Sequence, residues 1–283
     1  MDNGTLKHLQ SWVGKTETAF CTLPSFPAQA LSGAIEQKGN FEPGDQLPAP
    51  WQWLYFLAPT DRGNTGDDGH PQKGGFLPPV PLPRRMWAAG AMEIKRPLYL
   101  GQHTEKVSTI TSVEAKQGRS GPLVFVNLQH QFMQGGDPCI TEQQNLVYRE
   151  APVERSELPP GTAPEQDADF SRVITPDPVL LFRYSALTYN GHRIHYDRDY
   201  AVNQELYPAL VVHGPLLATL LMQLARETFP TSSISGFSFR AVRPTFDSHP
   251  FNLCGKRDDN QLSLWSTDHT GSLCMSAKVT LND

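Results

Sequence analysis

The chain has 283 residues, 39% of them apolar and 19% charged, enough to build a core for one large domain or two of ordinary size. A net charge of −5 and a pI near 6.0 give no global attraction to nucleic acid or to acidic membranes. Cys21, Cys139, Cys254 and Cys274 lie far apart with no C-x-x-C spacing, which argues against a zinc ribbon or disulfide framework and for reduced thiols in a cytosol.

Taken from the start, "MDNGTLKHLQSWVG" has no basic segment followed by an apolar run, so no signal peptide is read there. "FPAQALSGAIEQ" (Phe26 to Gln37) has the pattern of a short, rather polar helix. "LPAPWQW" and "GGFLPPVPLPRR" read as extended connections, because proline supplies no N–H to a helix or a central strand. Trp51, Trp53 and Trp87 lie in or beside such connections and are expected to pack rather than to stack on a ligand. Between them "PTDRGNTGDDGHPQKGGF" (Pro59 to Phe76) is rich in Gly, Asp and Pro, and reads as a mobile flap or a disordered loop.

From Met92 the pattern changes. "MEIKRPLYLGQ" precedes "VSTITSVEAKQGRSGPLVFVNLQHQF", a turn at Gly135–Gly136, and "CITEQQNLVYRE". The alternation in "LVFVNLQHQF" is that of a strand with one wet face. "LPPGTAPEQDAD" (Leu158 to Asp169) has no apolar period and is taken as an interdomain linker, with a long loop inside one domain as the alternative.

Beyond it the order of elements repeats. "LLATLLMQLARETF" is apolar nearly all round from Leu216 to Ala225, so it predicts a helix enclosed by a curved sheet rather than lying on a surface. Its apolar run is too short to span a bilayer, which needs roughly 20 residues, and a soluble, cytoplasmic protein is expected. "FSFRAVRPTFDSH" (Phe237 to His249), "FNLCGKRDD", "QLSLWSTDH", a turn at Gly271 and "LCMSAKVTL" then follow as an antiparallel meander. Arg96–Pro97 and Arg243–Pro244 occupy the same place in the two copies. The expected fold class is therefore α+β, a double hotdog in which two antiparallel sheets each wrap a central helix. The expected boundaries are 1–157 for a non-catalytic N-terminal unit carrying the flap, 158–169 for the linker and 170–283 for the unit carrying the chemistry. Two such units would pair sheet edge to sheet edge, which removes exposed strand edges.

The chemistry concentrates in "YNGHRIHYD" (Tyr189 to Asp197), with two histidines three residues apart just before the apolar helix. A metal site, an acid–base site and an ordinary buried loop are its three readings. "FRYSALTYNGHRIHYDRDYA" followed by "YPALVVHGPLLATLL" resembles the active-site segment of the MaoC-type enoyl-thioester hydratases, whose usual pattern is S-x-x-T-G-D-x-N-P-x-H-x-D followed by a V-x-G-x-L helix start. "PLPRRMWAAG", "KRPLYLG", "GRSGPLVFV" and "TEQQNLVYRE" resemble the branch containing itaconyl-CoA and mesaconyl-C4-CoA hydratases and type 2 3-hydroxyacyl-thioester dehydratases. The resemblance covers nearly the whole chain. It departs from the wider pattern in one respect: Asn190 stands where most of the superfamily has an aspartate, and an amide cannot shuttle a proton.

The resemblance implies an enoyl-CoA hydratase acting on a short dicarboxylic acyl-CoA such as itaconyl-CoA or mesaconyl-C4-CoA. A 3-hydroxyacyl-thioester dehydratase of fatty acid synthesis and a thioesterase are its alternatives among enzymes. A non-catalytic acyl-thioester-binding subunit is the rival of another class. His195 is expected as the general base or acid, since imidazole titrates near working pH. Asn190 would hold the water or orient His195; help from Tyr189, His192 or Asp197 stays open. The Gly214 N–H, at a helix start followed by Pro215, is the expected donor to a developing enolate oxygen. His192, Arg84, Arg85 and Arg193 are candidate substrate-binding residues, Arg193 being the favoured partner of a distal carboxylate and surface charge the alternative for all three arginines. H-x-x-H-x-D could supply metal ligands, but neither a metal nor a cofactor is expected. The partners expected are an acyl-CoA, with no nucleic acid and no membrane; a homodimer is left open.

Overall fold

The alternating stretches form strands, and the all-apolar stretch forms a buried helix. The computed structural model describes residues 2–37, 39–118, 121–152, 154–155 and 158–282. In chain order it contains α1 (Asn3–Gln10), β1 (Thr16–Thr22), α2 (Ser25–Ala34), β2 (Gln46–Leu47), β3 (Arg84–Ile94), β4 (Leu98–Tyr99), β5 (His103–Gly118), β6 (Gly121–Gln134) and β7 (Asp137–Arg149). After the connection come β8 (Phe170–Ile174), α3 (Pro178–Leu187), α4 (Gly214–Thr228), β9 (Ser233–Ala241), β10 (Phe251–Asp258), β11 (Gln261–Thr267) and β12 (Leu273–Asn282). The short β2 and β4 pair only with each other.

The other strands form one antiparallel sheet in the order β1-β5-β6-β7-β3-β9-β12-β11-β10-β8. That order is its own mirror about the β3–β9 seam. The two sheets expected from sequence are thus joined edge to edge, with Ala89–Glu93 of β3 facing Arg240–Gly236 of β9. No strand edge is left bare at the seam, where an unpaired row of N–H and C=O groups would otherwise template association. The internal repeat is visible in single hydrogen bonds. The Arg96 N–H donates to the Cys139 carbonyl at 3.2 Å and the Arg243 N–H to the Cys274 carbonyl at 3.1 Å. Each arginine then pairs with an aspartate of the adjoining turn, Arg96 with Asp137 at 3.0 Å and Arg243 with Asp268 at 3.4 Å.

α4 starts with Pro215 in its first turn and buries every residue from Leu216 to Ala225. It packs on β10, β11 and β12 of its own half and on β3 across the seam. Full burial of each leucine contributes about 1.5–3 kcal/mol, so this one helix anchors the C-terminal core. α2, the shorter counterpart, buries Ala28, Leu31 and Ser32. Trp51 is buried, and Trp53 meets Trp87 edge-on with ring centroids 4.8 Å apart. Among the described residues no helix is long and apolar enough to cross a membrane.

Candidate active site

The motif of Tyr189 to Asp197 is shaped by the end of α3. Asp177 caps that helix at its start, accepting the Leu180 N–H at 2.7 Å, and Pro178 follows at the first position. At its end Tyr189 turns left-handed (φ 50°), and the Asn190 N–H donates back to the Ser185 carbonyl at 2.8 Å. Asn190 then uses its side-chain oxygen to accept the His192 N–H at 3.0 Å, a local turn that sets the histidine's direction. A 3₁₀ turn, Arg193–His195, brings His195 inward.

His195 is buried and held from both sides. Its Nδ1 lies 2.7 Å from the Val211 carbonyl. A carbonyl only accepts, so Nδ1 carries the hydrogen and the neutral ring keeps its lone pair on Nε2. The ring stacks on His213, centroids 3.7 Å apart, and His213 Nε2 in turn contacts the Ser185 hydroxyl at 2.8 Å. Burial pushes His195 down to about 4, against the pull of the Val211 hydrogen bond. Burial also holds His213 well below the ordinary histidine value, with His195 and His192 adding to the effect. His195 is therefore a neutral imidazole, a base with its free nitrogen available.

A cavity of about 470 Å³ opens beside it, within the range of small-molecule sites. His195, Asn190, His192 and the start of α4 at Gly214 line it, with Arg84 and Arg85 from β3. The fold thus gathers these six predicted residues from both halves of the chain. A Cβ placed on Gly214 would meet only the Trp87 carbonyl, at 3.9 Å. The protein itself does not require glycine there; the open space faces the cavity. The Gly214 N–H and the positive end of α4 can hold an oxygen on which negative charge develops.

Arg193 corrects the sequence expectation. It does not line the cavity. Its Nε and Nη2 donate to Asp197 Oδ2 at 2.9 and 2.7 Å, and its guanidinium lies over the Tyr200 ring at 4.2 Å. The aspartate four residues on captures it, a helical-type i,i+4 pairing. Arg84 lines the cavity but is paired with Glu205. Two arginines to which the sequence reading gave no place in the site, Arg149 at the end of β7 and Arg243 after β9, also line it. The Arg149 Nε is buried without a hydrogen-bond partner among the described residues, and its Nη2 donates to the Tyr207 hydroxyl at 3.4 Å.

The second omission is larger. The stretch read as a flap or disordered loop lies on the motif: the Arg193 N–H donates to the Asp68 carbonyl at 2.9 Å and Arg193 Nη1 to the Asp67 carbonyl at 3.0 Å. Gly69, at φ +86°, approaches Gly191 so closely that a Cβ would lie 1.9 Å from the Gly191 carbonyl oxygen. This docking places His70 on the cavity wall. The H-x-x-H-x-D ligand set is not assembled, since Asp197 is taken by Arg193 and by the Tyr200 N–H at 3.1 Å. Among the described residues the group with metal-compatible spacing is Asp68, His70 and His192, one donor atom each within 4.8 Å of one another.

A ten-stranded sheet with mirrored order and a buried helix defines the chain as a double hotdog. A double-hotdog protein from Mycobacterium tuberculosis superimposes with a TM-score of 0.54 at 12% identity, covering 95% of this chain and 96% of that one. A MaoC-like dehydratase from Phytophthora capsici does so with a TM-score of 0.70 at 14% identity, covering 98% of each chain. At the level of sequence, residues 50–247 match the family model described as hydroxyacyl-thioester dehydratase type 2. The mesaconyl-C4-CoA hydratase of Chloroflexus aurantiacus is 43% identical over 96% of this chain and 97% of its own length. The chain belongs to the type 2 hydroxyacyl-thioester dehydratase family, MaoC-like hydratases and dehydratases, and is a hydro-lyase.

Proposed function

We propose that this protein adds water reversibly to a short dicarboxylic enoyl-CoA, mesaconyl-C4-CoA or itaconyl-CoA, to give citramalyl-CoA. The observation that carries the reading is one cavity lined together by His195, whose Nδ1 is held by the Val211 carbonyl, by the start of α4, and by Arg85, Arg149 and Arg243. The relative named for mesaconyl-C4-CoA supports the same substrate class. His195 takes a proton from water as the water oxygen bonds the β-carbon. The Gly214 N–H holds the thioester oxygen as the enolate forms, and a proton returns to the α-carbon. Asn190, its oxygen committed to the His192 N–H, positions the motif rather than moving a proton.

A distal carboxylate left unpaired in such a cavity would cost several kcal/mol, so a dicarboxylate enzyme needs a cation there. Arg149 fits that role: it is half-buried on the cavity wall, its Nη2 reaches only the neutral Tyr207 hydroxyl at 3.4 Å, and no carboxylate among the described residues is paired with it. The second reading, dehydration of a 3-hydroxyacyl thioester on a carrier protein, is favoured by the name of the family. On the first reading, residues 1–157 and 170–283 are two hotdog units joined by 158–169, and the four free cysteines suit a cytoplasmic setting. The test is loss of enoyl-thioester absorbance with mesaconyl-C4-CoA, itaconyl-CoA and crotonyl-CoA, for the wild type and for Arg149→Met. The expected result is a preference for the dicarboxylates that Arg149→Met removes, a cost of about 2–4 kcal/mol in kcat/KM with little change for crotonyl-CoA. Equal turnover of crotonyl-CoA and the dicarboxylates by wild type overturns the assignment.

A further inference from the structure

A motif with asparagine at position 190 leaves the reaction one proton-transfer group short, and the structure brings another to the same wall. His70 lines the cavity with His192 and His195. Its ring centroid is 4.2 Å from that of His192, which is 5.4 Å from that of His195. Asp68 holds it twice: Oδ2 lies 3.0 Å from His70 Nδ1, and Oδ1 accepts the His70 N–H at 2.9 Å. The carboxylate fixes the hydrogen on Nδ1 and turns Nε2 outward, the arrangement by which a carboxylate orients a histidine base.

Resting on the hydratase reading, we propose that His70, held by Asp68, is the second acid–base group of this enzyme, serving the α-carbon while His195 serves the oxygen at the β-carbon. In hydration the His195 Nε2 lone pair removes a proton from water, and the water oxygen forms its bond to the β-carbon. The π pair of the double bond moves to the α-carbon and takes the proton from Nε2 of protonated His70, whose N–H electrons return to its ring. His195 ends protonated, His70 neutral, and Asp68 a carboxylate throughout; before the next turnover His195 gives its proton up to solvent and His70 takes one from solvent. Dehydration runs the same steps backwards, with His70 removing the α-proton.

The division of labour follows from the partners. His70 has a carboxylate to balance a positive ring, whereas His195 has a backbone carbonyl. Burial first, and then the nearby Arg85 and Lys73, hold His70 below the ordinary histidine value against the pull of Asp68, so it is charged only within the cycle, when the carboxylate balances the ring. The carboxyl of Asp68 resists its own burial, held well below the usual range by its hydrogen bond and charge pairing with His70. The N-terminal half, expected from sequence to be non-catalytic, thus contributes a catalytic residue, His70, and a positioning residue, Asp68.

The experiment is dehydration of the hydroxyacyl-CoA product carrying deuterium at the α-carbon, with His70→Gln, Asp68→Asn and His195→Gln. His70→Gln is expected to lower kcat about 10²–10⁴-fold, and Asp68→Asn about tenfold. In both, the α-deuterium isotope effect rises, because the C–H step has been slowed. His195→Gln should lower kcat while shrinking that isotope effect, since C–O cleavage then limits. Circular dichroism checks that each variant is folded. His70→Gln retaining more than about a third of wild-type kcat overturns the proposal, as does an Asp68→Asn loss with no rise in isotope effect, which marks a merely structural pair. One zinc per purified wild-type chain, absent from Asp68→Asn, would make the cluster a metal site and overturn it also. A wild type inert toward every thioester overturns the hydratase reading itself, and this proposal with it.

Discussion

Burying several neutral histidines makes stability fall in mild acid, by an amount that follows from their surroundings. His130 in β6 is buried, with Nδ1 2.9 Å from the Ser108 hydroxyl and Nε2 3.2 Å from Gln144 Oε1. Burial, helped by Lys106, pushes it down to about 3, and His195 lies at about 4. In the unfolded chain both return to about 6.5. Because the folded values are depressed, the unfolded state binds more protons below pH 6.5. Stability is therefore full above that value, falls as the pH drops through it, and stops falling below the folded values. At pH 5 each of these two histidines costs about 2 kcal/mol relative to pH 8. His70, His192 and His213 shift in the same direction. His130 and His195 together cost about 4 kcal/mol, a large share of an ordinary domain stability of about 5–15 kcal/mol. The assay is urea unfolding at pH 8 and pH 5 for wild type and His130→Asn. The variant's loss between the two pH values should be smaller by about 2 kcal/mol, whatever its stability at pH 8. Equal losses in the two proteins would refute the reasoning, as would a wild type equally stable at both.

Gly69→Ala puts a Cβ against the Gly191 carbonyl at 1.9 Å in a left-handed backbone; the 60s loop should leave the motif, with kcat falling roughly 10²-fold as expected for a misplacement of about 1 Å, and trypsin should cut faster at Arg62 and Lys73. Unchanged cleavage and turnover would refute the docking. Leu221→Ala, at a fully buried position of α4, should cost about 2–5 kcal/mol in denaturant unfolding; a loss below about 1 kcal/mol would mean that α4 does not anchor the core.

Much of this was legible in the sequence because it rests on local pattern. Period-2 alternation located the strands of both meanders, and the all-round apolar run located α4 and its burial. The matched Arg–Pro pairs exposed the repeat, since both sit at the same kink and donate to equivalent carbonyls. Arg193 was misread although the signal was present: Asp197, four residues on, is an intrahelical-type partner that competes for the guanidinium. Asp68 and His70 were missed for a different reason. Their stretch has no apolar period and many turn residues, and its order comes from contacts with a motif more than a hundred positions away, through two glycines whose mutual approach no local rule predicts. Arg149 was hidden in the same way, as one member of an alternating strand whose cavity-facing side depends on the seam.

The mirrored strand order has a consequence for how such a site can evolve. In a dimer of identical hotdogs every substitution occurs twice, at positions related by the two-fold axis, so a loop that reaches across must coexist with its own copy reaching back. One polypeptide escapes that constraint. Residues 35–83 separate α2 from β3, whereas only residues 229–232 separate α4 from β9. The long crossing segment exists on one side alone, free to become specific for a partner half that need not reciprocate. Fusion exchanges two equal sites for one site with two unlike parents.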